Sequence, residues 1–442
     1  MTTATALLED WMPRQRWFAG TARAPRLRVL AELPLGDDPR VRVLVVADDA
    51  QAPPPVYQVP VVRRSQPPGA EASTHLIGVT GAGDALIDGP HDPLFIDALL
   101  RAVAPGIAPP EGSAPAEVLR GEQSNTSVIL RPSGGAPVIC KVFRRLHDGT
   151  NPDIELQRAL SGAGSRHVPA TLGVLDGSWP TAAGPARTAT GALAFAQEFF
   201  PGVDDAWRVA MRAAAAGETF ADPARDLGRT TAEVHADLAR LFGEQGADPS
   251  VRAAVMDAWH RRLAGVARAL PQLQGRADAI AERYAAAAGA TWPRLQRIHG
   301  DYHLGQVLRV PGRGWVLLDF EGEPLRPMAE RRAPDLALRD VAGMLRSFDY
   351  VAGSLARSAA AAADPGAAGT DAGASAPAWA EVARHAFLDG YAEAAPRDAP
   401  IEGALLDALE LDKAVYEAGY EARHRPGWLA IPLAAIERLL ER

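Results

Sequence analysis

Apolar and polar positions change their period several times along this chain, and each change marks an element. Leu7, Leu8, Trp11 and Met12 recur at helical spacing and predict a short amphipathic helix over 7–17. Apolar runs follow at 27–33, 41–46 and 56–62. The first two begin with polar–apolar alternation, and turns rich in Pro and Gly separate all three, which is how strands read. Residues 1–90 are therefore expected to form a small β-rich domain carrying one helix, with Trp17 and Phe18 as core aromatics. A helix over 92–103 starts at Pro93 and carries Leu94, Phe95, Ile96, Leu99 and Leu100.

After a Pro/Gly-rich linker at 104–114, the alternation predicts a hairpin of 117–119 and 128–130 around the polar turn 120–127. A second turn at Ser133, Gly134 and Gly135 leads into a strand at 137–143. Asn151 is a candidate N-cap for the next helix, and 192–200 is another buried strand that ends at Pro201 and Gly202. From there the period becomes helical, with helices expected at 207–216, 222–242, 251–269, 273–288, 338–350, 379–391, 403–423 and 434–440. Residues 352–377 are low-complexity Ala/Gly/Ser/Asp and are expected to be flexible at least in part. No repeat of fixed period is visible. This order gives an α+β chain with a β-rich cap at 1–90, a second region at 91–202 and a mostly helical region at 203–442.

Composition narrows the class. At 442 residues the chain exceeds one simple core, and its 47% apolar content is enough to bury several. Lys and Arg number 46 against 54 Asp and Glu, a net charge of −8, which suits a soluble protein and argues against nucleic-acid binding. Cys140 is the single cysteine, so an internal disulfide is impossible and a cysteine-based zinc site is not expected. The first eleven residues lack a basic start followed by an apolar run, and no apolar stretch is long enough to span a bilayer. A cytoplasmic protein with no membrane partner is expected, and a monomer is the expectation for its assembly.

The chemistry concentrates in one run. Residues 298–308 (Ile-His-Gly-Asp-Tyr-His-Leu-Gly-Gln-Val-Leu) read as a loop entering a short strand, and 315–323 read as a buried strand ending in an acidic turn. Pro311, Gly312, Arg313 and Gly314 connect them as a hairpin. The hairpin brings Asp301, Gln306 and Asp319 together. Phosphoryl transfer needs such a set: a carboxylate to orient and deprotonate the attacking hydroxyl, and oxygen ligands for Mg²⁺ on the phosphates.

The region before it supplies a nucleotide side. Gln123, Ser124, Asn125, Thr126 and Ser127 lie in the polar turn, where N–H and hydroxyl groups can meet phosphates. Lys141 on the following strand is placed to pair with the α/β-phosphates, and Glu155 on the next helix to hold that lysine. Gln197, Glu198 and Phe199 would offer backbone groups to an adenine edge. On the late helix 403–423, Lys413, Tyr416 and Tyr420 fall at i, i+3 and i+7, one face with rings and polar tips that suit a sugar.

Several motifs resemble actinobacterial maltokinases, members of the aminoglycoside-phosphotransferase-like kinases. They are residues 121–127, 151–155, 197–199, 299–306, 319–324 and 339–350, with 412–417 and 420–426 near the C-terminus and 11–20 near the N-terminus. The resemblance implies a bilobal kinase fold with a β-rich cap. It also implies transfer of phosphate from ATP, with Mg²⁺, to the anomeric hydroxyl of maltose, giving maltose 1-phosphate for α-glucan synthesis. By motif position Asp301 is the catalytic base, Gln306 and Asp319 are metal ligands, and His303 and Glu321 stand near the sugar. Tyr302 occupies a position where the family is expected to carry Leu, and a larger polar side chain there is expected to reshape the acceptor pocket. Glucosamine kinases share the architecture and supply the alternative acceptor, in which Glu321, Glu417 and Glu421 would meet the ammonium. A kinase-like domain without catalysis is the reading from another class, and the presence of Lys141, Asp301 and Asp319 argues against it.

Overall fold

A computed structural model describes residues 3–18, 24–65, 72–107, 116–119, 125–132, 135–324, 326–362, 371–396 and 401–442. They fall into two compact units, Met1–Arg158 with Pro169–Pro201, and Ala159–Val168 with Gly202–Arg442.

The first unit begins with α1 (Ala4–Trp11), whose N-cap Thr3 accepts the Ala6 N–H on Oγ1 at 3.3 Å. The helix ends earlier than its apolar period suggested, in a 3₁₀ turn over Met12–Arg14, because Pro13 lacks an amide N–H to continue the ladder. Then come β1 (Leu27–Pro34), β2 (Val41–Asp48), β3 (Val56–Arg64), β4 (Leu76–Val79), β5 (Ala85–Asp88) and α2 (Pro93–Val103). They are followed by β6 (Ala116–Val118), β7 (Asn125–Leu130), β8 (Val138–Phe143), β9 (Arg145–Leu146), the start of α3 (Pro152–Gly162), β10 (Thr171–Thr181) and β11 (Gly184–Glu198).

Two antiparallel sheets result, β1-β2-β3-β5-β4 with β9 paired to β3, and β10-β11-β8-β7-β6. Strand β2 shows why both faces of the first sheet are apolar. Val41, Val43 and Val45 pack with Phe95, Ile96, Leu99 and Leu100 of α2 and with Val128, Cys140 and Val142 of the second sheet. Leu44 and Val46 face the other way, onto Leu8, Trp11, Met12 and Trp17. Trp17 is thus a core aromatic. Arg144 lies fully buried in this unit, bonded to both carboxylate oxygens of Asp88 at 2.9 and 2.7 Å and stacked 4.8 Å from the Trp17 ring centroid.

The second unit is mostly helical: α4 (Ala206–Ala215), α5 (Ala221–Phe242), α6 (Pro249–Ala269), α7 (Pro271–Gln274) and α8 (Ala277–Ala288). A two-stranded ribbon of β12 (Val307–Val310) and β13 (Gly314–Leu317) follows, then α9 (Met328–Arg331), α10 (Leu338–Ala362), α11 (Asp371–Ala394), α12 (Gly403–His424) and α13 (Ala430–Glu441). Helix α12 is buried nearly all round, through Leu405, Leu406, Leu409, Leu411, Ala414, Val415 and Ala418. Polar residues inside this packing are paired. Glu410 accepts Arg384 at 2.7 and 2.9 Å and Arg438 at 3.0 Å, and Asp349 accepts Arg438 at 2.8 Å. This network ties α10, α11, α12 and α13 together, so α12 is a fixed scaffold for what it carries. Among the described residues no helix is long and apolar enough to cross a membrane.

Of the segment at 352–377, expected to be flexible in part, α10 covers the residues through Ala362 and α11 those from Asp371, because Ala-rich stretches have high intrinsic helicity, while 363–370 lie outside the described residues. The strand expected at 192–200 is the second half of a long hairpin, since β10 and β11 pair from Thr171 opposite Gln197 to Thr181 opposite Gly184. Its Gly, Thr and Ala content hid it from a search for apolar runs. Of the polar turn expected at 120–127, residues 120–124 lie outside the described residues, and Asn125, Thr126 and Ser127 belong to β7, opposite Phe143, Val142 and Lys141.

Candidate active site

In the first unit, β8 carries Lys141 almost buried, with its Nζ 2.9 Å from Asp153 Oδ2 on α3. Asp153 is fully buried and also accepts Gln157 Nε2 at 2.5 Å, so the lysine meets a braced carboxylate. Reading the sequence singled out Glu155 and missed Asp153. Glu155 is half-buried one position past Ile154 on the same first turn. An Asp two residues after the Asn151 cap reads as a helix-start residue, so nothing in the pattern marked it.

Thr126 accepts Arg144 Nε at 2.8 Å on its hydroxyl, and Ser127 is fully buried with no partner for Oγ among the described residues. Asn125 is half-buried, whereas Gln123 and Ser124 lie outside the described residues. Gln197 is buried near the end of β11. The backbone N–H groups of Glu198 and Phe199 are already bonded to the carbonyls of Ala170 and Pro137, at 2.9 and 3.1 Å. Those two donors are therefore spent, and a base recognised here would have to use other groups.

The second unit holds the loop 299–306. Its backbone is pinned from α10: Asp340 accepts the His299 N–H at 2.8 Å and the Gly300 N–H at 2.9 Å, and His235 Nε2 of α5 lies 3.1 Å from the same carboxylate. Asp340 is 2% exposed. Burial alone would raise its pKa, but the His235 bond, with the charges of His235 and His299, holds it below the ordinary value. Gly300 has φ +83°, and a Cβ there would lie 3.1 Å from the Cα of Gly322, so this residue type lets the loop approach the acidic turn. Tyr302 is buried and its hydroxyl lies 2.8 Å from Thr231 Oγ1 of α5. Its hydroxyl thus anchors the loop to a helix, while the residue also lines the pocket beside Asp301.

His303 accepts the Gly305 N–H on Nδ1 at 3.0 Å, which starts the 3₁₀ turn Leu304–Gln306. Burial lowers its pKa, outweighing the opposing pull of Asp301, and keeps the ring neutral and able to accept. That turn presents Gln306, whose Nε2 donates to Asp319 Oδ2 at 3.0 Å. Asp319 has φ +66°, the one positive φ outside glycine among the described residues. Such strain gathers at functional sites. A carboxylate oxygen of half-buried Glu321 comes within 4.8 Å of one on Asp319. Carboxylate and amide oxygens are hard donors, and a divalent cation could replace the Gln306–Asp319 hydrogen bond with the amide turned to present oxygen. The residues present therefore fit Mg²⁺.

A pocket beside this loop is lined by Asp301, Lys413 and Tyr416 together with Glu323, Arg262 and Arg339. Lys413 Nζ lies 3.6 Å from Asp301 Oδ1 and 2.5 Å from Glu323 Oε1, and 5.2 Å from the Tyr416 ring centroid. Burial opposes its charge, but Glu323, then Asp301 and Glu417, hold its pKa above the ordinary value. Tyr420 sits one turn further along α12, 36% exposed and stacked on His424 with centroids 4.4 Å apart, and it does not line the pocket. Glu323, Arg339 and Arg262 were not singled out from sequence. Charged residues inside a helix, at its start or in an acidic turn carry no periodic signal that sets them apart from surface charges.

Residues 11–92 match the maltokinase N-terminal cap domain, and residues 115–396 match the phosphotransferase enzyme family. A glucosamine kinase of Streptacidiphilus jiangxiensis is 31% identical over 444 residues, covering 94% of this chain and 91% of that one. Another glucosamine kinase, from Mycolicibacterium smegmatis, is 30% identical over 339 residues, covering 72% and 78%. A solved glucosamine kinase in complex with glucosamine, ADP and inorganic phosphate superposes with a TM-score of 0.65 at 26% identity, covering 99% of both chains. The chain therefore belongs to the phosphotransferase enzyme family and carries a cap domain of the maltokinase kind.

Proposed function

We propose that this protein transfers the γ-phosphoryl group of ATP to the anomeric hydroxyl of maltose. Asp301 orients the acceptor hydroxyl and takes its proton. Lys141, braced by Asp153, holds the nucleotide phosphates, and Gln306 and Asp319 hold Mg²⁺. The metal would neutralise phosphate charge when bound. Tyr416 offers a ring face to the sugar.

The observation that carries the acceptor assignment is the state of the glutamates on α12. An ammonium acceptor would call on Glu321, Glu417 and Glu421, and the two on α12 are engaged within the chain. Glu417 accepts Arg346 Nε at 2.9 Å and lies 2.8 Å from its Nη2, while Glu421 accepts the Tyr350 hydroxyl at 2.9 Å and Arg425 at 2.5 Å. A neutral sugar needs neither. The match to the maltokinase cap domain supports the same reading. Glucosamine is the second reading, favoured by the two relatives whose likeness covers most of the chain.

An acceptor screen with ATP and Mg²⁺ separates them, using maltose, glucose, glucosamine and an aminoglycoside, with the phosphorylated position read by NMR. Maltose 1-phosphate is the expected product. Phosphorylated glucosamine with maltose untouched would move the assignment to the second reading. The Asp301→Asn variant should still bind ATP but lose turnover by at least about a hundredfold, the scale of a lost general base. Near-normal turnover would remove Asp301 from the chemistry.

A further inference from the structure

Charge pairing around the pocket isolates one cation. Glu323 Oε2 accepts Arg339 at 3.1 Å and lies 3.4 Å from Arg326; both arginines also reach Asp335, at 2.5 and 3.3 Å. Two guanidinium groups and two carboxylates balance there without the lysine. Arg262 pairs with Asp412 in the same way. Lys413 is therefore the surplus cation of the Glu323 cluster, and beyond Glu323 the carboxylates that balance it are Asp301, 3.6 Å away, and Glu417.

We infer that Lys413 is a catalytic residue that neutralises charge at the transferred phosphoryl group, and that Glu323 is the positioning residue that aims it. The inference rests on the phosphoryl-transfer reading above. During transfer the acceptor oxygen forms its bond to the γ-phosphorus as the bond from that phosphorus to the β–γ bridging oxygen breaks. ADP leaves with that electron pair, and the acceptor proton passes to the Asp301 carboxylate. Asp301 becomes neutral at the moment a phosphoryl group with its negative charge arrives on the neighbouring oxygen. Lys413 then loses one of its counter-charges and gains a new one within the same few ångströms, keeping all its own protons. Glu323 is 5% exposed and its acid stays ionised: burial works against the charge, but Lys413 and Arg339 lower its pKa well beyond that. It supplies a fixed anchor, so the ammonium needs little reorganisation when the charge moves.

A lysine that merely bonds sugar hydroxyls would act on ground state and transition state alike and appear in the acceptor KM. A charge neutraliser appears in kcat. Steady-state kinetics on the wild-type protein come first, with the acceptor it turns over; absence of any turnover sinks the phosphotransfer reading itself. Given turnover, Lys413→Met should lower kcat about 10²- to 10³-fold, the effect of removing one preorganised group at developing charge, with the acceptor KM within about threefold by the same reasoning. Lys413→Arg, which keeps the charge, should recover at least about tenfold of that loss. Glu323→Gln should lower kcat while the ATP KM stays unchanged. A raised acceptor KM with kcat intact in Lys413→Met overturns the inference and returns the lysine to sugar binding. Equal loss in the Met and Arg variants, both folded by circular dichroism, overturns it as well. If Lys413→Met does not fold, the kcat and KM of Lys413→Gln decide in its place.

Discussion

Replacing Asp340 by Asn tests whether the catalytic loop is positioned from α10. The carboxylate takes the His299 N–H on Oδ2 and the Gly300 N–H on Oδ1, and His235 Nε2 shares Oδ2. An asparagine has the same shape but one oxygen. With that oxygen kept toward His299 and His235, its NH₂ faces the Gly300 N–H, and two donors meet in a buried site. The Gly300 bond is charge-assisted, worth about 1.5–3 kcal/mol, and the stranded donors add a desolvation cost of about 1 kcal/mol or more. The opposite amide orientation strands two donors instead of one, so the first sets the cost, about 2–4 kcal/mol. Urea unfolding should show a lower midpoint at unchanged m. Gly300 precedes Asp301, so a loop displaced by even an ångström should cost about 10- to 100-fold in kcat. The nucleotide side lies on other elements, and the ATP KM should hold. A stability loss under about 0.5 kcal/mol with kcat within about twofold would refute the argument, because it would place Asp340 among ordinary polar substitutions.

Three further outcomes follow from other places in the fold. Tyr302→Phe removes a hydroxyl from Thr231, which keeps its bond to the Leu227 carbonyl, so stability should fall by about 1 kcal/mol; a change of preferred acceptor in the same variant would contradict the inward placement of this hydroxyl. His91 stacks on His75 with centroids 3.5 Å apart, and burial lowers its pKa to about 4 against an unfolded value near 6.5. The unfolded chain therefore binds the extra proton first. The stability His91 contributes is complete above pH 6.5 and is lost as pH falls toward 4, by about 3 kcal/mol, and His91→Gln should flatten that slope in unfolding measured across this range. In α5, a Cβ on Gly228 would lie 2.0 Å from the Phe387 carbonyl oxygen of α11. Gly228→Ala gains about 1 kcal/mol of helix propensity but must push the packed backbones of α5 and α11 apart, so a net loss of about 2 kcal/mol or more is expected in the same unfolding assay.

Legibility followed the type of signal. Long amphipathic helices such as α5, and the strand β8 with its apolar run broken only by Lys141, announce themselves by period, and the β12–β13 hairpin by Pro311, Gly312 and Gly314. The β10–β11 hairpin did not, because Gly, Thr and Ala at half-buried positions carry little contrast between faces. The pairing of Gln306 with Asp319 was legible from loop, hairpin and acidic turn together. What pins that loop was not: Asp340, His235 and Thr231 come from α10 and α5, far away in sequence, and their meaning lies in bonds that only the folded chain closes. The same holds for Asp153, which sits where an unremarkable helix-start carboxylate would sit.

The charged residues of α12 show why period alone cannot tell scaffold from site. On a surface helix, Glu410, Asp412, Lys413, Glu417 and Glu421 would mark the solvent face, yet Glu410 and Glu421 are at most 1% exposed and Asp412 is 7% exposed. Each is answered by a partner from another helix: Glu410 by Arg384, Asp412 by Arg262, Glu417 by Arg346, Glu421 by Tyr350. Leaving any one unpaired would strand a buried charge at a cost of about 3–5 kcal/mol, so these pairs fix the rotation and register of α12 against α6, α10 and α11. Fixing that register fixes where position 413 points. Lys413 differs from its neighbours because its partners are a turn that carries the acidic motif and the loop that carries Asp301, not a structural arginine. The buried pairs thus hold the helix, and the one residue on it whose charge is balanced by the reacting loop is the one placed to respond when that loop's charge changes.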